Sequence, residues 1–442
     1  MSDSLNNLTP ENGAEIAAAT HSIMPTRPRQ ASDSRPGFAH RLDSLFRDPT
    51  WLTRRRIFFY SGVLMLAYVV AAIAKIHDHT FLKSGVSGDF VNIYAASIAA
   101  LKGDPAAVYD IHRQHLQEIS LLGADLGVLG FHYPPMYLLM VLPLSMLPFI
   151  VSWILFETAT LAGYIAVVRR IVPVSPGLWL AITFPGVIVN FTCGQNGFLT
   201  TALIGGGLLM LDRAPILAGL LFGLMSYKPQ FALLIPLALI AARRWRAFAT
   251  TAVTAILFAA TSFAVFGTST WHAFLVSVQF TQKIVLEQGG IPMYTLQTLF
   301  GAIRMWGGSV GLAYALQAAV ALYAAAAVIL IWQSERPFAL KAAALAAGSL
   351  MVSPYVLQYD LVLLALPIAW LAMEGYQNGF LPYEKTMLLA AWILPRVALA
   401  VSQMARIPIA PIVIVALMTA IIRRATYSES AADRRQPSRH NA

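Results

Sequence analysis

Residues 197–242 read GFLTTALIGGGLLMLDRAPILAGLLFGLMSYKPQFALLIPLALIAA. Three apolar runs, near 198–211, 214–226 and 230–242, follow one another, and Asp212, Arg213 and Lys228 are the only charged residues among them. Runs of this kind, rich in Leu, Ala and Ile, are what membrane-spanning helices require, because hydrocarbon leaves every backbone polar group to be satisfied inside the segment. The same texture continues in both directions. Of 442 residues, 57% are hydrophobic and 12% charged, with a mean hydropathy of +0.64. An ordinary soluble domain carries roughly 25% charged residues, so a water-soluble globular enzyme is excluded. Disorder is excluded by the hydrophobicity, and a membrane β-barrel by the lack of short, strictly alternating segments. The single cysteine, Cys193, forms no internal bridge. The expected fold class is an all-α polytopic membrane protein.

The net charge of +10 does not mark a nucleic-acid partner. Residues 1–56 hold eight arginines and the tail from Arg423 holds five, which is the excess of basic residues found on the cytoplasmic flanks of spans. Three regions follow: a disordered basic cytoplasmic tail over 1–56, a transmembrane catalytic domain over 57–422, and a cytoplasmic C-terminal tail over 423–442. The first span is expected near 57–74, with Arg54, Arg55 and Arg56 holding its start inside. The stretch 75–132 is then the first extracytoplasmic loop. It holds six of the thirteen acids between residues 57 and 422, and five of the nine histidines. Within it, YAASIAALKG and IHRQHLQEISLLG have helical spacing with one apolar face, which predicts short amphipathic helices along the membrane surface.

Further spans are expected near 136–149, 151–168, 177–192, 198–211, 214–226, 230–242, 247–266, 309–332, 338–352, 360–374, 386–403 and 408–422, with a polar stretch between Gly267 and Pro292. Thirteen runs conflict with two cytoplasmic ends. About twelve spans are expected, with 136–149 or 198–211 re-entrant or broken.

Five polar breaks carry residues suited to chemistry. Asp89, in Ser87-Gly88-Asp89-Phe90 with Tyr94 beyond it, is either a helix N-cap or a carboxylate placed to accept a proton from an attacking hydroxyl. His132 and Tyr133 precede Pro134-Pro135, a rigid entry to a helix. Gln195 and Asn196 lie between Gly194 and Gly197, where amides or backbone N–H groups could meet a sugar or phosphate. Lys228 sits at a Pro-marked break, placed outside by the preferred parity, and an unpaired cation there calls for an anion such as phosphate. Tyr355, Gln358 and Asp360 form a polar cluster before the span near 360–374. No GxxxxGKS/T, GxGxxG or HExxH motif occurs. His77 and His79, with His112 and His115, lack a fixed third ligand, so no metal and no cofactor are expected.

Taken together, the pieces GDFVNIYAASIAALKGDPAAVYD, YPPMYLLMVLPLSMLP, GQNGFLTTALIGGGLLML, LAGLLFGLMSYKPQFALLIPLALIAARRWRAF and MVSPYVLQYDLVLLALP resemble glycosyltransferase family 87. These are GT-C-type enzymes related to polyprenol-phosphate-mannose-dependent mannosyltransferases. The resemblance implies a GT-C-like fold in the inner (plasma) membrane, multi-pass, with its active site facing the periplasm. It implies transfer of mannose or another hexose from a polyprenyl-phosphate donor to a glycan or glycolipid acceptor. It also implies inversion at the anomeric carbon with Asp89 as general base. Tyr94, His132, Tyr133, Gln195, Asn196, Lys228, Tyr355, Gln358 and Asp360 are the expected substrate contacts. A lipid-linked glycan flippase or other transporter would instead show mid-span ionisable residues and repeat symmetry; a glycan ligase or polymerase in the same compartment is the other alternative.

The topology has a direct test. A cysteine at Ser84, in a Cys193→Ser background, should react with a membrane-impermeant thiol reagent in intact cells. Labelling only after the inner membrane is permeabilised would reverse the topology.

Overall fold

The computed structural model describes residues 38–77, 88–123, 125, 127 and 129–433. The two ends of the tails and the stretch 78–87, with Ser84 and His79, lie outside the described residues. Residues up to Ser44 form one unit and Leu45–Ala442 another. Every described element is helical, as an all-α polytopic membrane protein demands. Among the described residues, six helices are long and apolar enough to cross a membrane, and seven further apolar helices are shorter.

The long helices follow the apolar runs closely. Phe149–Ile171 starts after Pro148 and ends with Arg169 and Arg170 in its last turn, where cations suit the helix C-terminus. Val310–Gln333, Glu384–Ala405 and Ile409–Asp433 cover the runs expected at 309–332, 386–403 and 408–422. At the centre lies Phe338–Val352, whose residues from Ala342 to Met351 are all buried. Its run of Ala342, Ala343, Ala344, Ala346, Ala347 and Gly348 lets neighbouring backbones approach closely, the usual device for packing helices in lipid. It packs against Val310–Gln333, Ala365–Asn378 and Ile409–Asp433.

Three expectations are corrected. The segment Phe90–Leu101 is a helix, but not one lying on the membrane surface: Phe90 to Ser97 are all buried. It is apolar almost all round, which marks an interior helix. Its polar exceptions bond inward, with Asn92 Nδ2 donating to Glu118 Oε1 at 2.7 Å and Ser97 Oγ to the Tyr94 carbonyl at 2.8 Å. The next helix, Ile111–Leu122, turns polar Gln114 and Glu118 inward to meet Asn92 while Leu116 faces out. The run at 177–192 is two helices, Ser175–Ile182 and Pro185–Cys193, separated at Phe184-Pro185. Finally, the stretch after Gly267 is not a polar loop. The chain stays helical through Phe280 and continues as a π-helix over Thr281–Glu287.

Length explains the break inside that last element. Trp245–Glu287 is 43 residues, about 65 Å at 1.5 Å per residue, roughly twice the hydrocarbon thickness. The axis breaks at Gly267, with φ 76° and ψ 175°. Elsewhere the expected breaks also occur: Pro135–Val141 passes into a 3₁₀ turn at Leu142–Met146, and Pro215–Leu224 into another at Met225–Tyr227. Gly197–Met210, by contrast, is one continuous helix.

A buried ion pair ties the last two spans together. Arg424 forks onto Glu384, Nε to Oε1 at 2.8 Å and Nη2 to Oε2 at 2.5 Å, with both residues almost fully covered. Removing one member of such a pair typically costs about 3–5 kcal/mol, because the other charge is stranded. Glu384→Ala should therefore lower the melting temperature of the detergent-purified protein sharply, while a joint Glu384→Met, Arg424→Met replacement should recover most of the loss. Equal losses in the single and joint variants would show that a stranded charge is not what destabilises the single variant.

Candidate functional site

The site begins at a turn that only glycine allows. Gly88 has φ 43°, and a Cβ there would overlap the backbone carbonyl of Cys193. The next residue, Asp89, donates its N–H to that carbonyl at 2.7 Å. The helix Pro185–Cys193 stops just there, because Gly194 takes up the left-handed conformation with φ 63°. Asn190 braces the turn that follows: its Nδ2 donates to the Gln195 carbonyl at 2.9 Å, and its Oδ1 accepts from the Gly197 N–H at 2.8 Å.

Two amides leave this turn in different directions. Gln195 Nε2 donates to Asp89 Oδ2 at 2.8 Å, and Gln195 Oε1 accepts from the Tyr133 hydroxyl at 3.0 Å. Asp89 stands at the N-cap position of Phe90–Leu101, yet its carboxylate makes no capping bond. Burial raises its pKa above the usual carboxylate value, and the Gln195 hydrogen bond opposes that rise. Asn196 Oδ1 accepts from Lys228 Nζ at 2.9 Å, and the same ammonium meets Asp360 Oδ1 at 2.6 Å.

That last contact corrects the expectation of an unpaired cation at position 228. Its counter-ion is Asp360, with both side chains only 3% exposed. The ammonium also lies over the rings of Phe231 and Tyr359, 5.1 and 5.2 Å from their centroids. Asp360 is held from the other side, its Oδ2 accepting the Leu357 N–H at 3.0 Å.

These groups border a cavity of about 700 Å³. One end is polar, with Asp89, Gln195, Lys228, Asp360 and the rings of Tyr133, Tyr355 and Tyr359. The other side is the segment that follows Gly267, which contributes Phe274, Val278 and Leu286 along with Ser277, Thr281 and Gln282. His132 joins the two sides: its Nδ1 lies 2.9 Å from Thr281 Oγ1, and burial lowers its pKa to about 4, so the imidazole is neutral. It can exchange a hydrogen bond with a ligand but brings no charge.

Seven of the ten residues expected from sequence therefore line one cavity: Asp89, His132, Tyr133, Gln195, Lys228, Tyr355 and Asp360. The other three do not. Tyr94 is buried with its hydroxyl on the Leu147 carbonyl at 2.8 Å. Asn196 is fully buried behind Lys228. Gln358 turns its Nε2 toward Cys193 Sγ at 3.7 Å. The residues that sequence reasoning passed over are mostly in the segment after Gly267, together with Asn92, Tyr314 and Tyr359. Tyr359 stood inside a motif already singled out; Phe274, Ser277 and Thr281 carried no signal beyond their spacing of three and four, which places them on one helix face.

The model of glycosyltransferase family 87 matches residues 131–354, just over half of the chain. The chain belongs to glycosyltransferase family 87. No curated protein and no solved structure matches it. As a family 87 member it is a membrane glycosyltransferase, with a sugar donor and an acceptor as substrates and the bilayer as its surroundings. The matched span begins at Phe131, just before His132, and closes at Pro354, just before Tyr355. Asp89 and Asp360 thus lie outside it, although the fold brings both to the same cavity as Gln195 and Lys228, which lie inside it.

Two glycines with positive φ separate geometry from backbone preference. Gly103, at φ 83°, has open space where a Cβ would go, whereas at Gly88 that space is filled by Cys193. Both Ala variants are strained, but only Gly88→Ala displaces Asp89. A misplacement of about 1 Å can cost roughly 10²-fold in rate. Sugar transfer should accordingly drop by that order in Gly88→Ala and stay near normal in Gly103→Ala, measured at matched membrane expression. Equal activity of the two would sever the Gly88 turn from the site.

Proposed function

We propose that this glycosyltransferase moves a hexose, mannose being the reading by resemblance, from a polyprenyl-phosphate donor to a glycan or glycolipid acceptor on the extracytoplasmic side of the inner membrane. The observation that carries the proposal is the make-up of the cavity. A carboxylate and a neutralised ammonium lie in it, and a helical wall that carries Phe274, Val278 and Leu286 among its polar residues also borders it. The wall's far face, with Leu275 and Val276, is exposed. A sugar phosphate with a long hydrocarbon tail matches both halves, with the tail leaving toward lipid past Phe274 and Val278. A soluble nucleotide sugar would use the polar half alone. The basic flanks at Arg54–Arg56 and Arg423–Arg424 support this side of the membrane.

In the proposed reaction Asp89 is the proton acceptor. The acceptor hydroxyl attacks the anomeric carbon and gives its proton to the carboxylate. The bond from that carbon to the phosphate oxygen breaks, and its electron pair leaves with the phosphate. A single displacement inverts the anomeric centre. The leaving group is an anion of low basicity, so it needs no strong acid. What it needs is a donor, and Lys228 has three N–H bonds, of which Asn196 and Asp360 take two. The third is the proposed contact to the donor phosphate. Tyr133, Tyr355 and Tyr359 supply rings suited to the faces of sugars, and His132 a neutral hydrogen-bonding edge.

The reading is tested with purified protein in nanodiscs, supplied with polyprenyl-phosphate hexose or nucleotide hexose carrying a radiolabelled sugar and with membrane lipid extract as the acceptor source. Label should move from the lipid donor only. Asp89→Asn keeps size and polarity but cannot take the proton. Its turnover should fall by about 10²–10⁴-fold, the usual range for acid–base groups, while the protein remains folded. Near-normal transfer by Asp89→Asn, or transfer from the nucleotide sugar, would defeat it.

A further inference from the structure

Gln195 differs from the other polar residues of the cavity in having both ends of its amide taken by the protein. Nε2 donates to Asp89 and Oε1 accepts from Tyr133. The partners fix which end is which, because a carboxylate only accepts and a phenol has a proton to give. Its backbone is equally committed, with the carbonyl bound to Asn190 Nδ2. The residue is 6% exposed. Little of this residue remains to hold a substrate. Asp89, in turn, is held at its N–H by Cys193 and at Oδ2 by Gln195. Its Oδ1 has no hydrogen-bond partner among the described residues, on a side chain that borders the cavity.

We propose that Gln195 is a positioning residue. It fixes the rotation of the Asp89 carboxylate so that Oδ1 faces the acceptor hydroxyl, and the Tyr133 hydroxyl fixes Gln195 in its turn. This rests on the reading of Asp89 as the proton acceptor.

Two effects follow from losing the amide. The carboxylate is free to rotate, so fewer bound complexes present Oδ1 correctly; turnover falls while substrate affinity does not. The hydrogen bond that favours the charged form also goes, and burial then acts unopposed. The pKa of Asp89 rises, the ionised fraction at a given pH falls, and the acid limb of kcat/KM moves to higher pH. Among the described residues, the other ionisable groups around Asp89 are Cys193 on the helix behind it, Tyr355 and Tyr359, and His132, Tyr133, Lys228 and Asp360 around the cavity. A substitution at 195 leaves all of them in place, and His132 is neutral above about pH 4.

The test uses the full chain in nanodiscs, with radiolabelled polyprenyl-phosphate mannose as probe and lipid extract as acceptor source. Gln195→Leu should lower kcat by about 10- to 100-fold, hold the donor KM within about twofold, and move the acid limb up by about one pH unit. Tyr133→Phe, which keeps the ring and leaves Gln195 in place, should move the limb the same way by less; it serves if Gln195→Leu does not fold. In an Asp89→Asn background, Gln195→Leu should have no further effect on the residual rate. A raised donor KM with kcat and the acid limb unchanged would make Gln195 a substrate ligand and overturn the proposal. So would a full additional loss in the Asp89→Asn background. If Asp89→Asn itself transfers sugar normally, the reading of Asp89 fails; if Asp89→Asn is inactive and both the Gln195 and Tyr133 variants behave as wild type, only the positioning role fails.

Discussion

Everything in the site hangs on one turn, Gly194 to Gly197, from which two neighbouring amides reach opposite charges. Gln195 goes to the Asp89 carboxylate and Asn196 to the Lys228 ammonium, which Asp360 neutralises. Four segments remote in sequence are thereby fixed to one another. Burying the Lys228–Asp360 pair is costly, since the desolvation penalty is several kcal/mol per ion. The cost is offset by the extra bonds each partner makes, Lys228 to Asn196 and two ring faces, Asp360 to the Leu357 N–H. Such a pair adds little net stability. Its value is registry: Lys228 cannot slide relative to Asn196 without stranding a charge in a site that water barely reaches.

The spans were legible in the sequence because hydrocarbon admits no other solution for long apolar runs. Phe338–Val352 and Val310–Gln333 fall within one residue of the runs read at 338–352 and 309–332. What local pattern could not reveal was partnership. The Phe90–Leu101 helix has the composition of an interior helix, but its place between polar loops suggested a surface one. Lys228 looked unpaired because its anion lies 132 positions further on. Gln195 looked like a sugar ligand for the same reason, its two partners being 106 and 62 positions away. Motif reading found the residues; only the fold tells which of them face the cavity and which face each other.

The helical wall after Gly267 is hidden in the sequence for a different reason. The stretch from Gly267 to Pro292 carries Gln, Lys, Glu and Thr residues that read as loop, yet helix continues to Glu287. Ser277, Thr281 and Gln282 line the cavity beside Phe274 and Val278, whereas Gln279 and Lys283 are exposed. Its last turn is a π-helix, a form that concentrates at functional positions, and it is there that Thr281 meets His132. Polar residues scattered among the apolar ones break the continuous apolar signature by which spans are recognised.

The neutrality of the Lys228–Asp360 pair has a consequence for the proposed chemistry. A lone buried cation would bind the donor's phosphodiester strongly before any bond broke, and such uniform binding does not accelerate the chemical step. With Asp360 in contact, the ammonium presents one remaining N–H and little net charge to the ground state. As the glycosidic bond breaks, the phosphate passes from one negative charge toward two, and a fixed N–H pointed at it gains strength as that charge develops. Donors preorganised for charge that appears only during the reaction are the effective ones. On the other side of the sugar the acceptor loses its proton to Asp89 as the phosphate gains charge. The two amides of one turn, Gln195 and Asn196, therefore hold the two groups that must act together.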